Sequence, residues 1–112
     1  MKYKTLNLKD TMPTVELALA MIEIEIEICK KEGVQVLKVI HGYGSHGVGG
    51  EIKKALKKWL LLKKRSHFIN DYVFGEAWNT SKTAEKIKNI CPEVLGDSDL
   101  YIINSGISII LL

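Results

Sequence analysis

The hydropathy pattern of this chain predicts a compact two-layer α/β domain, and three observations carry that reading. Two short runs rich in valine, isoleucine and leucine, Val34 to Ile40 and Ile107 to Leu112, read as buried strands. Two longer runs, Val15 to Lys31 and Glu51 to Arg65, repeat their apolar residues at helical spacing. Between the first strand and the second helix lies His41-Gly-Tyr-Gly-Ser-His-Gly-Val-Gly-Gly50. The chain therefore passes from strand through a glycine-rich loop into a helix. The full predicted order is strand, helix, strand, loop, helix, strand, extra helix, final strand.

The 112 residues suit one domain spanning 1–112. Hydrophobic residues make up 46% and charged residues 26%, an ordinary globular balance. A net charge of +3 does not by itself announce a nucleic-acid binder. Cys29 and Cys91 are far apart with no CxxC spacing, so neither a zinc site nor a disulfide framework is indicated. Both read as reduced, buried thiols of a cytoplasmic protein. The start Met1-Lys-Tyr-Lys lacks a signal-peptide core, and no apolar run is long enough to span a membrane.

Lys2 to Lys9 alternates loosely and reads as a short strand, and 10–14 as a turn. Thr14 is placed to cap the first helix, with Glu16 in its first turn. Ile22-Glu-Ile-Glu-Ile-Glu-Ile28 has the period of a strand, yet the helix reading is stronger. Leu17 to Met21 forms helix readily, and the combined run is too long for a common strand. Val15, Ala18, Leu19, Ile22, Ile26 and Cys29 then share one face. Lys30, Lys31 and Gly33 end the helix. Leu17, Met21, Ile24 and Ile28 form a second apolar stripe, nearly opposite the first. It calls for a second partner: the segment 74–90, or another copy of the chain through a two-fold axis.

In the second helix Ile52, Ala55, Leu56, Trp59 and Leu62 are expected to face inward, and Lys53, Lys54, Lys57, Lys58 and Lys64 outward. His67 to Phe74 reads as a strand, 75–80 as a turn carrying Trp78, and Ser81 to Ile90 as a short helix stopped by Pro92. Trp59 and Trp78 are expected to pack rather than bind.

The ten-residue loop holds five of the nine glycines and two of the three histidines. Glycine allows close approach and positive φ, and a helix N-terminus attracts anions. The anionic part of a ligand is therefore expected at Gly42, Gly44, Ser45, His46, Gly47, Gly49 and Gly50, with Lys53, Lys54, Lys57 and Lys58 beside it. A triphosphatase is rejected, because no Gly-Lys-Ser/Thr follows the glycines. His41 and His46 lack companion metal ligands, so no metal and no cofactor are expected. Ser45 beside His46 is not a nucleophile–base pair, since sequence neighbours rarely aim at one another.

His41-Gly-Tyr-Gly44 resembles the His-Gly-x-Gly motif of the Smr (small MutS-related) domain, between a buried strand and a helix. Thr14 to Ala18, Ile52 to Leu60 and Asn104 to Leu111 resemble its first helix, second helix and last strand. The resemblance runs from about Leu6 to Leu112. It implies a mixed four-stranded sheet with two main helices on one face, and it leaves 74–99 as an insertion. It also implies binding of DNA or RNA, which some members cut. The family's Leu-Asp-x-His motif falls on Leu6-Asn-Leu-Lys9 here. Asn7 is no general base, and a protonated Lys9 can hold a phosphate but not take up a proton. His41 is then the best remaining base, with a structural role as its alternative.

The expectation is a cytoplasmic, membrane-free domain, monomeric or dimeric through helix one. It should bind nucleic acid through the loop, Lys9 and the basic helix, and cut it weakly or not at all. The alternatives are an active structure-specific endonuclease, a protein-interaction module, and a small-ligand phosphate site.

Overall fold

A computed structural model describes residues 2–11, 13–43 and 48–112. Its main elements are β1 (Tyr3–Asn7), α1 (Val15–Glu32), β2 (Val36–Ile40), α2 (Val48–Arg65), β3 (Asp71–Phe74), α3 (Lys82–Ile90) and β4 (Ile107–Leu111). Short 3-10 turns occupy Gly75–Ala77, Pro92–Gly96 and Ser98–Leu100. The sheet order is β1-β2-β4-β3. β1 runs parallel to β2, and β4 runs antiparallel to both β2 and β3. The mixed four-stranded sheet and the order of elements are those expected.

The alternating segment of α1 is helix throughout. Thr14 Oγ1 accepts the Leu17 N–H at 3.3 Å, and Gly33 closes the helix at φ 75°. Helix places Ala18, Ile22, Ile26 and Cys29 in the core but leaves Ile24 58% exposed. A strand would have put Ile22, Ile24, Ile26 and Ile28 on one face. Caps and the helix-forming Leu17 to Met21 therefore outweigh the alternation. Ile52, Leu56 and Leu60 of α2 join the same core, with Leu37, Val39 and Ile110 from the sheet. Each fully buried isoleucine or leucine contributes roughly 1.5–3 kcal/mol. Leu62, expected inward, is exposed, because Leu60 continues the Ile52–Leu56 row and takes its place.

The other sheet face is covered too. Val36, Val73, Ile107, Ile109 and Leu111 pack there against Ala84 and Ile87 of α3 and against Trp78, Val94 and Leu100. This corrects one expectation. The segment 74–90 does not cover the outer stripe of α1, because its own apolar residues are used on the far side of the sheet. Leu17, Ile24 and Ile28 stay exposed. Trp78 is 3% exposed and packs, as expected. Cys29 and Cys91 are free and buried, and burial pushes both thiols up.

β3 starts at Asp71 rather than near His67, because α2 needs those residues to terminate. His67 takes a left-handed φ of 64°. Its N–H donates to Lys64 O, and the Phe68 N–H donates to Lys63 O. This is the Schellman closure, made without glycine.

Gly75 sits where the chain leaves β3 and crosses under 104–107. A Cβ there would lie 2.0 Å from Asn104 O and 2.5 Å from Ile107 Cγ1. Gly75→Ala should therefore cost about 1–3 kcal/mol by overpacking. Gly96→Ala, with nothing within 4 Å of the added methyl, should change stability little. Urea unfolding of the two variants checks the contrast, and equal effects would contradict this packing.

Candidate functional site

The parallel strands β1 and β2 end side by side, with Asn7 opposite Ile40 and the Leu8 N–H donating to Ile40 O at 2.9 Å. Leu6 to Lys9 and His41-Gly-Tyr are thus adjacent in space. The carbonyl of Gly106 accepts both the His41 N–H (2.9 Å) and the Gly42 N–H (3.0 Å). Gly42 adopts φ 84°, a conformation that glycine takes without strain. A Cβ on Gly106 would approach Gly42 Cα to 3.3 Å, so the crossing is tight on the Gly106 side, whereas Gly42 has open space and is set by its φ.

A cleft of about 180 Å³ opens at this junction. Ile40, Gly42, Gly106 and Ile107 form its floor, and Lys9, Tyr43, Asp99 and Asn104 its rim. Asn7 Oδ1 accepts the Lys9 N–H at 2.9 Å, an Asx turn that sets Lys9 at the rim. The asparagine at the family's aspartate position is thus used for local geometry. Asn104 Oδ1 likewise accepts the Gly106 N–H at 3.0 Å.

His41 is 1% exposed and lies between sheet and α2. Its Nδ1 is 3.0 Å from Gly42 O, which can only accept, so Nδ1 carries the proton. Its Nε2 then accepts from Ser108 Oγ–H at 2.9 Å. Serine and histidine meet at nucleophile–base distance, but Ser108 is wholly buried, so the pair has no access to a ligand. Burial holds the imidazole below its ordinary pKa, and the charge of Lys53 adds to this. His41 is thereby a neutral clamp on the loop.

The lysines of α2 divide into two kinds. Lys53, expected outward, is tied down. Its Nζ donates to Glu76 Oε2 at 2.6 Å and to Ser105 O at 2.9 Å. Lys54, Lys57 and Lys58 are exposed and form no ion pair among the described residues. Lys54 and Lys58 line a shallow groove with Val15 and Ala55. Gly49 and Gly50 fall in the first turn of α2. Gly44, Ser45, His46 and Gly47 lie outside the described residues. No cluster of metal-ligating side chains is found among the described residues.

Sequence reasoning missed a buried charge. Lys38, 4% exposed, sits in the middle of β2. Its Nζ donates to Asp97 Oδ2 at 2.8 Å and to Asp99 Oδ2 at 2.6 Å. Tyr3 OH also donates to Asp97 Oδ2, at 2.6 Å. Burial opposes the lysine charge, but the hydrogen bonds to Asp97 and Asp99 outweigh it and its pKa is raised. A lone lysine inside the apolar run 34–40 was the available signal.

Two outcomes follow. Removing Lys38 as Lys38→Met should destabilise the domain strongly, about 3 kcal/mol, since the carboxylates lose their counter-charge. Denaturant unfolding measures it. His41 gives a pH signature. The unfolded chain takes up its proton near about 6.5, whereas the folded chain resists it. This contribution is complete above that pH and is lost as pH falls toward the folded value. The melting temperature should drop between about pH 7.5 and 5.5, and His41→Asn should flatten the profile. A profile unchanged by the variant would contradict the clamp.

Comparison with known proteins agrees with the geometry. The family model for the Smr domain matches residues 6–79, more than half of the chain, and the remainder lies beyond the match. The fold is similar to the Smr domain of Thermus thermophilus MutS2, with a TM-score of 0.56 at 17% identity, covering 100% of this chain and 98% of that one. No curated protein matches the sequence. With the paired strand ends and the mixed sheet in place, and the family model matching most of its length, this chain belongs to the Smr domain family.

Proposed function

We propose that this domain binds DNA or RNA through the cleft rim and the exposed face of α2, and cuts it poorly or not at all. One observation carries the binding half. Lys54, Lys57 and Lys58 extend, exposed and without ion-pair partners among the described residues, along the helix that leaves the His-Gly-x-Gly loop. Lys9 adds a cation at the cleft. Phosphates of one strand have a track from the rim to the helix.

The catalytic half rests on what the strand ends lack. In-line attack on a phosphodiester needs a base or a metal hydroxide for the nucleophile. Asn7 is neutral and occupied by the Lys9 N–H. His41 is buried, and both of its nitrogens are engaged. What remains suits holding phosphate rather than activating water.

The test is binding of labelled single- and double-stranded oligonucleotides at several salt concentrations. With three lysines each holding one phosphate, affinity should fall roughly 40-fold for a fourfold rise in salt. Lys54→Gln, Lys57→Gln and Lys58→Gln should each lower the salt slope by about 1. Lys53 is left intact, because its ammonium holds Glu76 and Ser105. No binding at low salt would reject the reading, and binding of free phosphate alone would favour a small-ligand site. Plasmid nicking and cleavage of structured RNA, with magnesium or manganese, should stay at background. Robust cleavage lost in a folded His41→Asn variant would contradict the catalytic half.

A compatible second reading has its own observation. Leu17 and Ile24 are 53% and 58% exposed on the outer face of α1, with Met21 and Ile28 between and beyond them. A two-fold contact centred on this stripe pairs Leu17 with Ile28 and Met21 with Ile24. Sedimentation at rising concentration should then show dimer, reduced by Ile24→Lys. A monomer at all concentrations would exclude this contact.

A further inference from the structure

We propose that the cleft at the strand ends takes an unpaired guanine base. The inference rests on the nucleic-acid reading above and adds which base the site prefers. The rim combines an aromatic ring, a carboxylate, an amide and a cation. Tyr43 is 56% exposed and offers a face for base stacking. Lys9 stands ready for the adjoining phosphate.

Asp99 and Asn104 set the preference. Asp99 contacts Lys38 through Oδ2 only, which leaves Oδ1 entirely free of Lys38. A carboxylate has about four acceptor positions, so the ion pair does not exhaust it. The side chain of Asp99 is 48% exposed, and the carboxylate can therefore meet a ligand. Asn104 Oδ1 accepts a backbone N–H, which only an oxygen can do. Its amide assignment is thereby fixed, and the NH2 group is left to donate.

Asp99 thus brings a free Oδ1 and the remaining lone pair of Oδ2 to a cleft that Asn104 lines with its NH2 group. The Watson–Crick edge of guanine is complementary: N1–H and N2–H donate to the carboxylate, and O6 accepts from the amide. Adenine offers one donor beside the acceptor N1. Cytosine offers one donor beside N3 and O2. Either would set a lone pair against the Asp99 carboxylate. Pairing in a duplex hides this edge, so the base must be unpaired. Asp97 Oδ1 accepts the Asp99 N–H and Lys38 bridges the two carboxylates, which holds Asp99 in place.

The experiment compares short single-stranded oligodeoxyadenosines carrying one central guanine, inosine, adenine or cytosine, by fluorescence anisotropy on the full chain. The guanine strand should bind about tenfold tighter than adenine or cytosine, within the range of a bidentate base contact. Inosine, lacking N2, should fall between them. Annealing the complement should abolish the preference. Asp99→Asn and Asn104→Asp should each remove the preference while leaving the salt slope unchanged, and circular dichroism verifies that both fold. Equal, salt-sensitive binding of all four strands would overturn this inference and leave nucleic-acid binding standing. A guanine preference that survives both variants would also overturn it, since the base would be read elsewhere. No binding of any strand at low salt would reject both readings together.

Discussion

The carbonyl of Gly106 is the point on which the site depends. It accepts two backbone hydrogens, from His41 and Gly42, where β4 enters the sheet and β2 leaves it. A side chain on Gly106 would crowd Gly42, and one on Gly42 would strain its left-handed φ of 84°. His41 then spans the crossing from the α2 face, with one nitrogen on Gly42 O and the other on Ser108. The start of the glycine loop is held at both ends of one residue. These contacts fix Gly42 in the floor of the cleft. The histidine of the motif therefore works as a fastener in this chain, and its low pKa reflects burial rather than activation.

The opposite sheet face carries a different kind of constraint. Lys38 brings a charge into an apolar layer, and Asp97, Asp99 and Tyr3 surround it. The segment after α3 is bound to the sheet through these contacts as well as through Val94 and Leu100. An ion pair of this sort adds little net stability compared with an apolar pair of the same shape, but it is costly to break. Here it ties the turn at 97–99 to β2, and it also holds the Asp99 carboxylate beside the cleft. Packing of the second layer and chemistry of the site are linked through one lysine.

Much of this was legible in the sequence. The caps and the long apolar row specified α1 as helix despite its alternating isoleucines, because local propensity and face spacing are properties of a short stretch. The strand–loop–helix order around His41 was equally local. The loss of acid–base groups at Asn7 and Lys9 could be read from residue type alone. Long-range partners were not legible. Helical spacing assigns Lys53 to a face, but Glu76, 23 positions away, decides that it is tied down. Ser108 gave no sign that it would close the His41 ring, 67 positions distant. The outer stripe of α1 was visible, but that Leu17, Ile24 and Ile28 would stay exposed was not. α3 has its own apolar row, and the open face of the sheet claimed it.

Chemical-shift mapping on isotopically labelled protein tests most directly where a nucleic acid touches the surface. Titration with a short single strand at low salt should move the signals of Lys9, Gly42, Tyr43, Lys54, Lys57 and Lys58 most, while Leu17, Ile24 and the outer face of α3 stay in place. Shifts confined to α1 or α3, with the cleft and the lysine face unmoved, would contradict the account.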